Sequence, residues 1–438
     1  MSIHYPPSLR HRRFTLLWAG QMISFAGSQM QLWALFWHIR TLSSNPIAVS
    51  GIGAARLVPI LFFSLLGGLA ADTHDRRRIL FFTQSTMTLV AVALAFLTER
   101  GVIQLWHIYL LTAIQAVAVS YDTPARQALV PNLVPVKDLP SAFSMNSIAS
   151  NVGAVVGPAL SGLVIAYLGQ AFAYWINAAS FLAVLFALVL IGPVPQQLRA
   201  APVRTSGIDF KAIGEGIQFI LSSPIILATM ILDFFATFFS SANTLLPYVT
   251  RDILHVDAVA YGWLSAAQSI GAIAAALVIS QRDRIHHQGR ILLIAVTVFG
   301  LATIGFGLSR VYALTMLALI LAGAGDSVST IIRNTIRQLQ TPDYIRGRMT
   351  SINQIFFMGG PQLGEVESGL AAELFTTGPA IVIGGVGCLI AVGAIALIYP
   401  QMRSYSGDEP VLAGAAPASR SSQPASLSHS PSKPSSSD

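Results

Sequence analysis

The chain has 438 residues, 53% of them hydrophobic and only 10% charged. A soluble domain carries about 25% charged residues, so water is not the main solvent of this surface, and the mean hydropathy of +0.64 agrees. The formal charge of +7 invites a polyanionic partner, but the placement of the basic residues, below, gives that charge a different meaning.

A membrane helix needs about 20 apolar residues. Twelve segments qualify: 14–39, 47–70, 79–97, 107–125, 141–168, 171–192, 224–247, 259–280, 291–308, 311–332, 352–375 and 379–399. The expected fold is therefore an all-α polytopic membrane protein with twelve transmembrane helices in two six-helix bundles. The expected divisions are an N-terminal bundle (1–192), a linker (193–223), a C-terminal bundle (224–402) and a tail (403–438). The basic N-terminus leads into a full-length span with no small-residue cleavage site, so no cleavable signal peptide is expected. The linker places Ile213, Ile217 and Ile220 on one helical face, the pattern of a helix lying on the membrane surface. The tail is rich in Ser, Pro and Ala and is expected to be disordered. The single cysteine, Cys388, lies in an apolar run and allows no intrachain disulfide.

Basic residues orient a membrane protein. With a cytoplasmic N-terminus, 21 of the 26 Lys and Arg fall on the inner side, including Arg10, Arg76 to Arg78, Arg333 and Arg337. Arg40, Arg100, Arg251 and Arg310 fall outside, and Arg56 alone lies within a span. The positive charge is thus an orientation signal facing anionic lipid, with no need of nucleic acid. Both termini are expected in the cytoplasm.

The chain also repeats itself. A shift of 207 residues lays the stretch from Arg126 on the stretch from Arg333 without a gap. Asn146 meets Asn353, and Gly153, Gly157 and Gly162 meet Gly360, Gly364 and Gly369. Two related halves follow, as in transporters built from parallel repeats.

The stretch Gly67 to Leu80, "GGLAADTHDRRRIL", packs Asp72 and three arginines between two apolar runs. With "LLPYVTRDIL", "YGWLSAAQSIGA" and "DTPARQALVPNLVP", it resembles the major facilitator superfamily, and within it the bacterial drug and siderophore exporters of the enterobactin-exporter type. Thr73 stands where relatives usually have a basic residue, and Ser28 where they often have an acid. The resemblance implies a gate in which Gly67 and Gly68 make a tight turn and Asp72 latches onto the N-terminus of the helix near residue 352 in the other half. The resemblance extends the latch to a loop arginine and an acid on the fourth helix, here Arg76 and Asp122, with Arg77 and Arg126 among the gate residues. It also implies a bacterial inner membrane. Gly153, Gly157, Pro158, Ser161 and Gly162 make a smooth helix face, and the resemblance associates that pattern with exporters.

Polar residues at helical spacing mark a candidate cavity: Gln21, Ser24, Ser28 and Gln31; Thr112, Gln115 and Asp122; Asp233, Thr237, Ser240 and Thr244; Asp326, Thr330 and Arg333. The neighbouring Phe234, Phe235, Phe238, Phe239, Trp33, Trp37 and Trp263 suit packing, lipid contact or an aromatic solute. Charges inside the membrane are costly and mark function or structural pairing; here they are Arg56, Asp233, Asp326, Glu365, Glu367 and Glu373. Counting rise along the helices puts Arg56, Glu365 and Glu367 at one depth, roughly 12–15 Å below the outer end. The two glutamates point about 200° apart around the helix, so one is expected to pair with Arg56 and the other to be protonatable.

The expected function is a secondary active exporter of a small amphiphilic molecule, siderophore or drug-like, driven by proton antiport, with a proton-coupled importer as the alternative. No phosphate loop, HExxH or GxSxG pattern is present, which argues against ATP-driven transport or an enzyme. No cofactor or metal is expected; the adjacent His286 and His287 read as solvated. The expected partners are a small-molecule substrate, protons and lipid, and the expected state is a monomer.

Overall fold

The computed structural model of the protein describes residues 6–196, 210–282 and 285–407; the side chains of Leu65, 210–213, Ser240 and most of 343–358 fall outside that description. Expectations for the first part of the linker, the tail beyond residue 407 and the Ser240 hydroxyl therefore lie outside the described residues. A first group of helices comprises α1 (Arg12–Leu42), α2 (Ile47–Thr73), α3 (Arg76–Glu99), α4 (Leu105–Leu129), α5 (Leu139–Leu168) and α6 (Gln170–Ile191). A connecting helix, α7 (Phe210–Ser222), leads to a second group: α8 (Pro224–Ser240), α9 (Ala258–Ser280), α10 (Gln288–Leu308), α11 (Tyr312–Gln340), α12 (Asp343–Phe375) and α13 (Thr377–Ile398). Among the described residues there is no strand. Helices satisfy their own backbone groups, which is what a hydrocarbon solvent demands. The outer surface is apolar to match: Phe62, Phe82 and Leu374 are each more than 70% exposed.

Nine helical stretches are long and apolar enough to cross a membrane among the described residues. Besides the short connecting helix α7, the helices outside those nine are α1, α4 and α12. They carry the polar stripes and charges described below, and those residues dilute the hydropathy of their windows.

The two groups are built alike. In the first, α1 packs on α5 and α6, α2 on α4, and α3 on α4 and α6. In the second, α8 packs on α12 and α13, α9 on α11, and α10 on α11 and α13. The groups meet through α5 against α9 and α2 against α12. The 207-residue shift relates the glycines that make these contacts. A Cβ on Gly153 or Gly157 would strike α1, at 2.9 Å from Phe25 and 2.6 Å from the Ala26 carbonyl. On Gly360 or Gly364 it would strike α8, at 2.5 Å from Thr237 and 2.1 Å from the Phe238 carbonyl. Gly162 meets Gly262 of the other group, and its repeat partner Gly369 meets Ser50. The turns after these helices match as well: Gly169 has φ +86 and ψ 167, and Thr376, 207 residues on, has φ +68 and ψ 165.

Two expectations are corrected. Gly67 and Gly68 do not make the turn after α2, because the helix runs through both to Thr73. The chain turns at His74 and Asp75, and Asp75 caps α3 by accepting from Arg77 N (2.9 Å) and Arg78 N (3.3 Å). Gly67 serves helix packing instead, since a Cβ there would lie 2.1 Å from the Ser120 carbonyl of α4; one on Gly68 would touch nothing within 4 Å. The second correction concerns α11, which continues to Gln340 past the end of its apolar run. Arg337, counted beyond the span on the inner side, is thus a buried helix residue like Arg333, at 4% and 1% exposure. In α7, Phe219 and Ile220 are buried against Ile226, Met230, Ile345 and Met349, while Ile217 is exposed.

The cores reveal how the groups meet. At the end of the molecule where α1 gives way to α2, one apolar cluster runs through both groups, from Met30, Phe36 and Ile39 to Leu246, Tyr248 and Ile381. At the end carrying the α2–α3 turn, hereafter the terminal end, the first group has its own cluster around Phe14, Leu80 and Leu129. The second group has a separate one around Leu292, Ile336 and Tyr405.

Candidate functional site

A cavity of about 680 Å³ opens inside the first group. Its wall takes Gln21, Ser24, Phe25 and Ser28 from α1, Gln115, Asp122 and Arg126 from α4, Phe143 and Asn146 from α5, and Phe181 from α6. Gln21, Ser24 and Asp122 are buried. The carboxylate of Asp122 is fully engaged: Oδ1 accepts from Thr83 Oγ1 (3.0 Å) and Gln84 Nε2 (2.7 Å), and Oδ2 pairs with Arg126. The Arg126 guanidinium also lies over the Phe25 ring, 5.1 Å from its centroid. Beyond the cavity, Asn177 Nδ2 donates to Gln31 Oε1 (2.7 Å), and Gln31 Nε2 donates to Gln115 Oε1 (2.7 Å). Of the stripe residues, Gln31 and Thr112 are buried off the cavity wall, and Gln31 instead fastens three helices. Thr83, Gln84 and Asn177 escaped the sequence reading; Asn177 and Ser180, three apart in an otherwise apolar segment, were the available signal.

The turn residues expected to form a gate are dispersed. Asp72 is exposed and makes no hydrogen bond or ion pair with the described residues. Arg76 does not reach Asp122; it donates to the carbonyls of Ala71 (3.0 Å) and Ala128 (3.0 Å) and to Asn132 Oδ1 (2.7 Å). Arg77 donates to the Leu188 carbonyl at 2.8 Å. Both arginines therefore tie the turn to neighbouring helices of its own group. Pro158 and Ser161 are buried within α5 beside the glycines that pack on α1 and α9.

The opposite end is where the groups hold each other. Arg40 forms a two-point ion pair with Asp252, and Tyr248 Oη donates to the carbonyls of Ser43 (3.2 Å) and Asn45 (3.1 Å). Tyr261 Oη donates to the Trp33 carbonyl (2.8 Å), and Ser50 Oγ to the Val366 carbonyl (2.8 Å). Deeper in, Arg56 Nη1 donates to Glu365 Oε1 at 2.8 Å. Of the two glutamates it is Glu365 that faces the arginine, while Glu367 is half-buried and forms no ion pair among the described residues. Between described residues, no hydrogen bond joins the groups at the terminal end.

In the second group, Arg333 Nη2 lies 3.0 Å from Asp233 Oδ1 and 3.9 Å from Asp326 Oδ1. Arg337 Nη1 lies 3.1 Å from Asp233 Oδ2 and also donates to Asn353. Asp233 thus bridges two buried arginines of α11. Thr237 donates to the Asp233 carbonyl at 2.8 Å.

Two groups with one internal contact plan, joined at one end around buried polar residues, define a transporter of the major facilitator type. The family model described as transmembrane secretion effector matches residues 4–413, and the chain belongs to that family of the major facilitator superfamily. The enterobactin exporter EntS of Citrobacter koseri is 27% identical over 372 residues, covering 84% of this chain and 86% of that protein. The staphyloferrin A transporter of Staphylococcus aureus is 26% identical, covering 82% and 89%. Among solved structures, a bacterial homologue of the iron transporter ferroportin in an inward-facing state aligns with a TM-score of 0.67 at 16% identity, covering 90% of this chain and 99% of that one. The protein is a multi-pass membrane transport protein and not an enzyme.

Proposed function

We propose that this protein is a secondary active exporter that moves a small amphiphilic molecule, siderophore- or drug-like, out of a bacterial cell in exchange for protons. It does so by alternating access of twelve transmembrane helices in two six-helix bundles, as a monomer in the inner membrane with both termini cytoplasmic. The observation that carries the reading is the asymmetry of the cores: one cluster shared by both groups at one end and separate clusters at the other. With cytoplasmic termini, that arrangement is an inward-open state, ready to receive solute from the cytoplasm. A relative named as an enterobactin exporter supports the direction, and it and the staphyloferrin A transporter support the kind of cargo.

In this reading Asp72 is free because the cytoplasmic side is open. The helix N-terminus expected near residue 352 lies instead at Asp343, because α12 runs unbroken through 352; Asp72 latches onto that earlier start when the cytoplasmic side closes, where the helix N-terminus carries partial positive charge. Glu365 holds Arg56 across the seam, and Glu367 is the protonatable acid. Everted vesicles with an acidic lumen test the function. Labelled enterobactin or staphyloferrin A should accumulate inside; loss of solute from preloaded vesicles under the same gradient would make the protein an importer. Glu367→Gln should abolish gradient-driven accumulation and retain solute exchange without a gradient. Loss of neither would place the proton elsewhere, with Asp233 and Asp326 next to test.

A further inference from the structure

The cavity of the first group contains hydrogen-bonding capacity that the chain leaves unused. Arg126 Nη1, Gln21 Nε2 and Asn146 Oδ1 are buried atoms without a partner, and all three residues line the same 680 Å³ space. Gln21 is only 1% exposed. A buried donor without an acceptor costs about 1–3 kcal/mol, more when charged, so such atoms in one wall call for an explanation. Pockets that bind small molecules combine apolar walls with a few convergent polar groups in about 300–1,000 Å³. The apolar walls here are Phe25, Phe143 and Phe181.

The bookkeeping of donors and acceptors sets the sign of the ligand. Asp122, the acid of this wall, already accepts from Thr83, Gln84 and Arg126, so its capacity to receive a cation is taken up. Arg126 keeps a guanidinium nitrogen free, and the Gln21 amide adds a second donor. The internal repeat gives a comparison. Arg333 and Asn353 are the equivalents of Arg126 and Asn146. In the second group a carboxylate from another helix, that of Asp233, sits on Arg333, and Asn353 accepts from Arg337. In the first group Arg126 receives a carboxylate only from its own helix, and Asn146 Oδ1 has no donor.

We propose that this cavity is the binding site for an aromatic anion. The ligand's acid oxygens bond to Arg126 Nη1 and Gln21 Nε2, and its rings lie among Phe25, Phe143 and Phe181. The proposal rests on the transport reading above and narrows its substrate to an aryl carboxylate or another acidic aromatic.

Three probes of one ring system isolate charge: 2-naphthoate, 2-naphthylmethanol and 2-naphthylmethylammonium. Their binding to the full chain in lipid nanodiscs is measured by titration calorimetry. Naphthoate should bind at least about tenfold more tightly than the alcohol or the ammonium, a difference of ~1.4 kcal/mol. Arg126→Gln should remove that preference, Arg126→Lys should keep part of it, and Gln21→Leu should weaken naphthoate alone. If Arg126→Gln fails to fold because Asp122 is left unpaired, the Gln21→Leu variant and the probe series on the unaltered protein still decide. Equal binding of the three probes, or a naphthoate preference that survives both Arg126→Gln and Gln21→Leu, overturns the proposal. The two readings fail separately. Gradient-driven siderophore accumulation without a naphthoate preference sinks the anion site alone. A naphthoate preference without gradient-driven movement sinks the exporter alone.

Discussion

Arg56 and Glu365 show what one residue can hold together. The Arg56 side chain is 26% exposed and Glu365 8%, so removing one partner should cost less than the ~3–5 kcal/mol typical of a fully buried ion pair. Arg56→Gln and Glu365→Gln should each lower the thermal midpoint of the detergent-solubilised protein. Arg56→Met combined with Glu365→Leu should recover most of the loss, and a double variant as unstable as the sum of the singles would show that the pair does not act as a unit. Helical rise puts the arginine and both glutamates at one level, but helical phase alone leaves open which glutamate faces Arg56. That choice is made by close packing of α2 on α12, where a Cβ on Gly53 would stand 2.8 Å from Glu365 Cβ. Thr376 is a second case. A β-branched residue at φ +68 is strained by about 1–3 kcal/mol. Thr376→Gly should therefore raise stability by roughly 1 kcal/mol and Gly169→Thr should lower it, both read from unfolding midpoints. The strain was hidden in the sequence, because the repeat pairs a glycine with a threonine there.

Elements were more legible than their ends. Each segment chosen from the sequence overlaps a helix, but the segment 224–247 outruns α8, which ends at Ser240, and the segment 352–375 misses the start of α12 at Asp343. The ends of α2 and α11 were misjudged for one reason: a helix that leaves the apolar layer continues as long as it has a neighbour to pack on. Gly67 on Ser120 and the buried Arg333 and Arg337 supply such neighbours. The small-residue face of α5 was legible as a packing surface, though not that it serves two helices in different groups. Gly162 abuts Gly262, and a side chain there would meet the Ala258 carbonyl at 2.5 Å. Gly162→Leu should wedge α5 from α9 and open the joined end. An impermeant maleimide should then label a cysteine placed at Ser28 from outside the cell, and accumulation in everted vesicles should fall about tenfold, the effect of a ~1.4 kcal/mol shift between states. Unchanged labelling would show that α5 and α9 absorb the side chain without parting.

At the scale of the whole molecule, the single buried cysteine makes the joined end testable. Cys388 is fully buried, with its sulfur 3.9 Å from the Val296 carbonyl, so thiol reagents report only on cysteines that are introduced. Arg40→Cys with Asp252→Cys places two thiols where the ion pair now joins the groups. Oxidation should arrest transport and reduction should restore it; transport that continues in the cross-linked protein would mean that the joined end never parts. The sequence disclosed the two halves through their glycines. It could not disclose which end was shut, because that depends on which of two packings the same faces adopt. The two seams, α2 on α12 and α5 on α9, exchange places when the halves are interchanged. They act as the two bearings of a rocker. A 20-residue helix is about 30 Å long, so each degree of tilt about a seam at one end carries the other end through roughly 0.5 Å. Glycines at the bearings keep the axle thin: a tenth of an ångström gained or lost there is magnified along the whole lever.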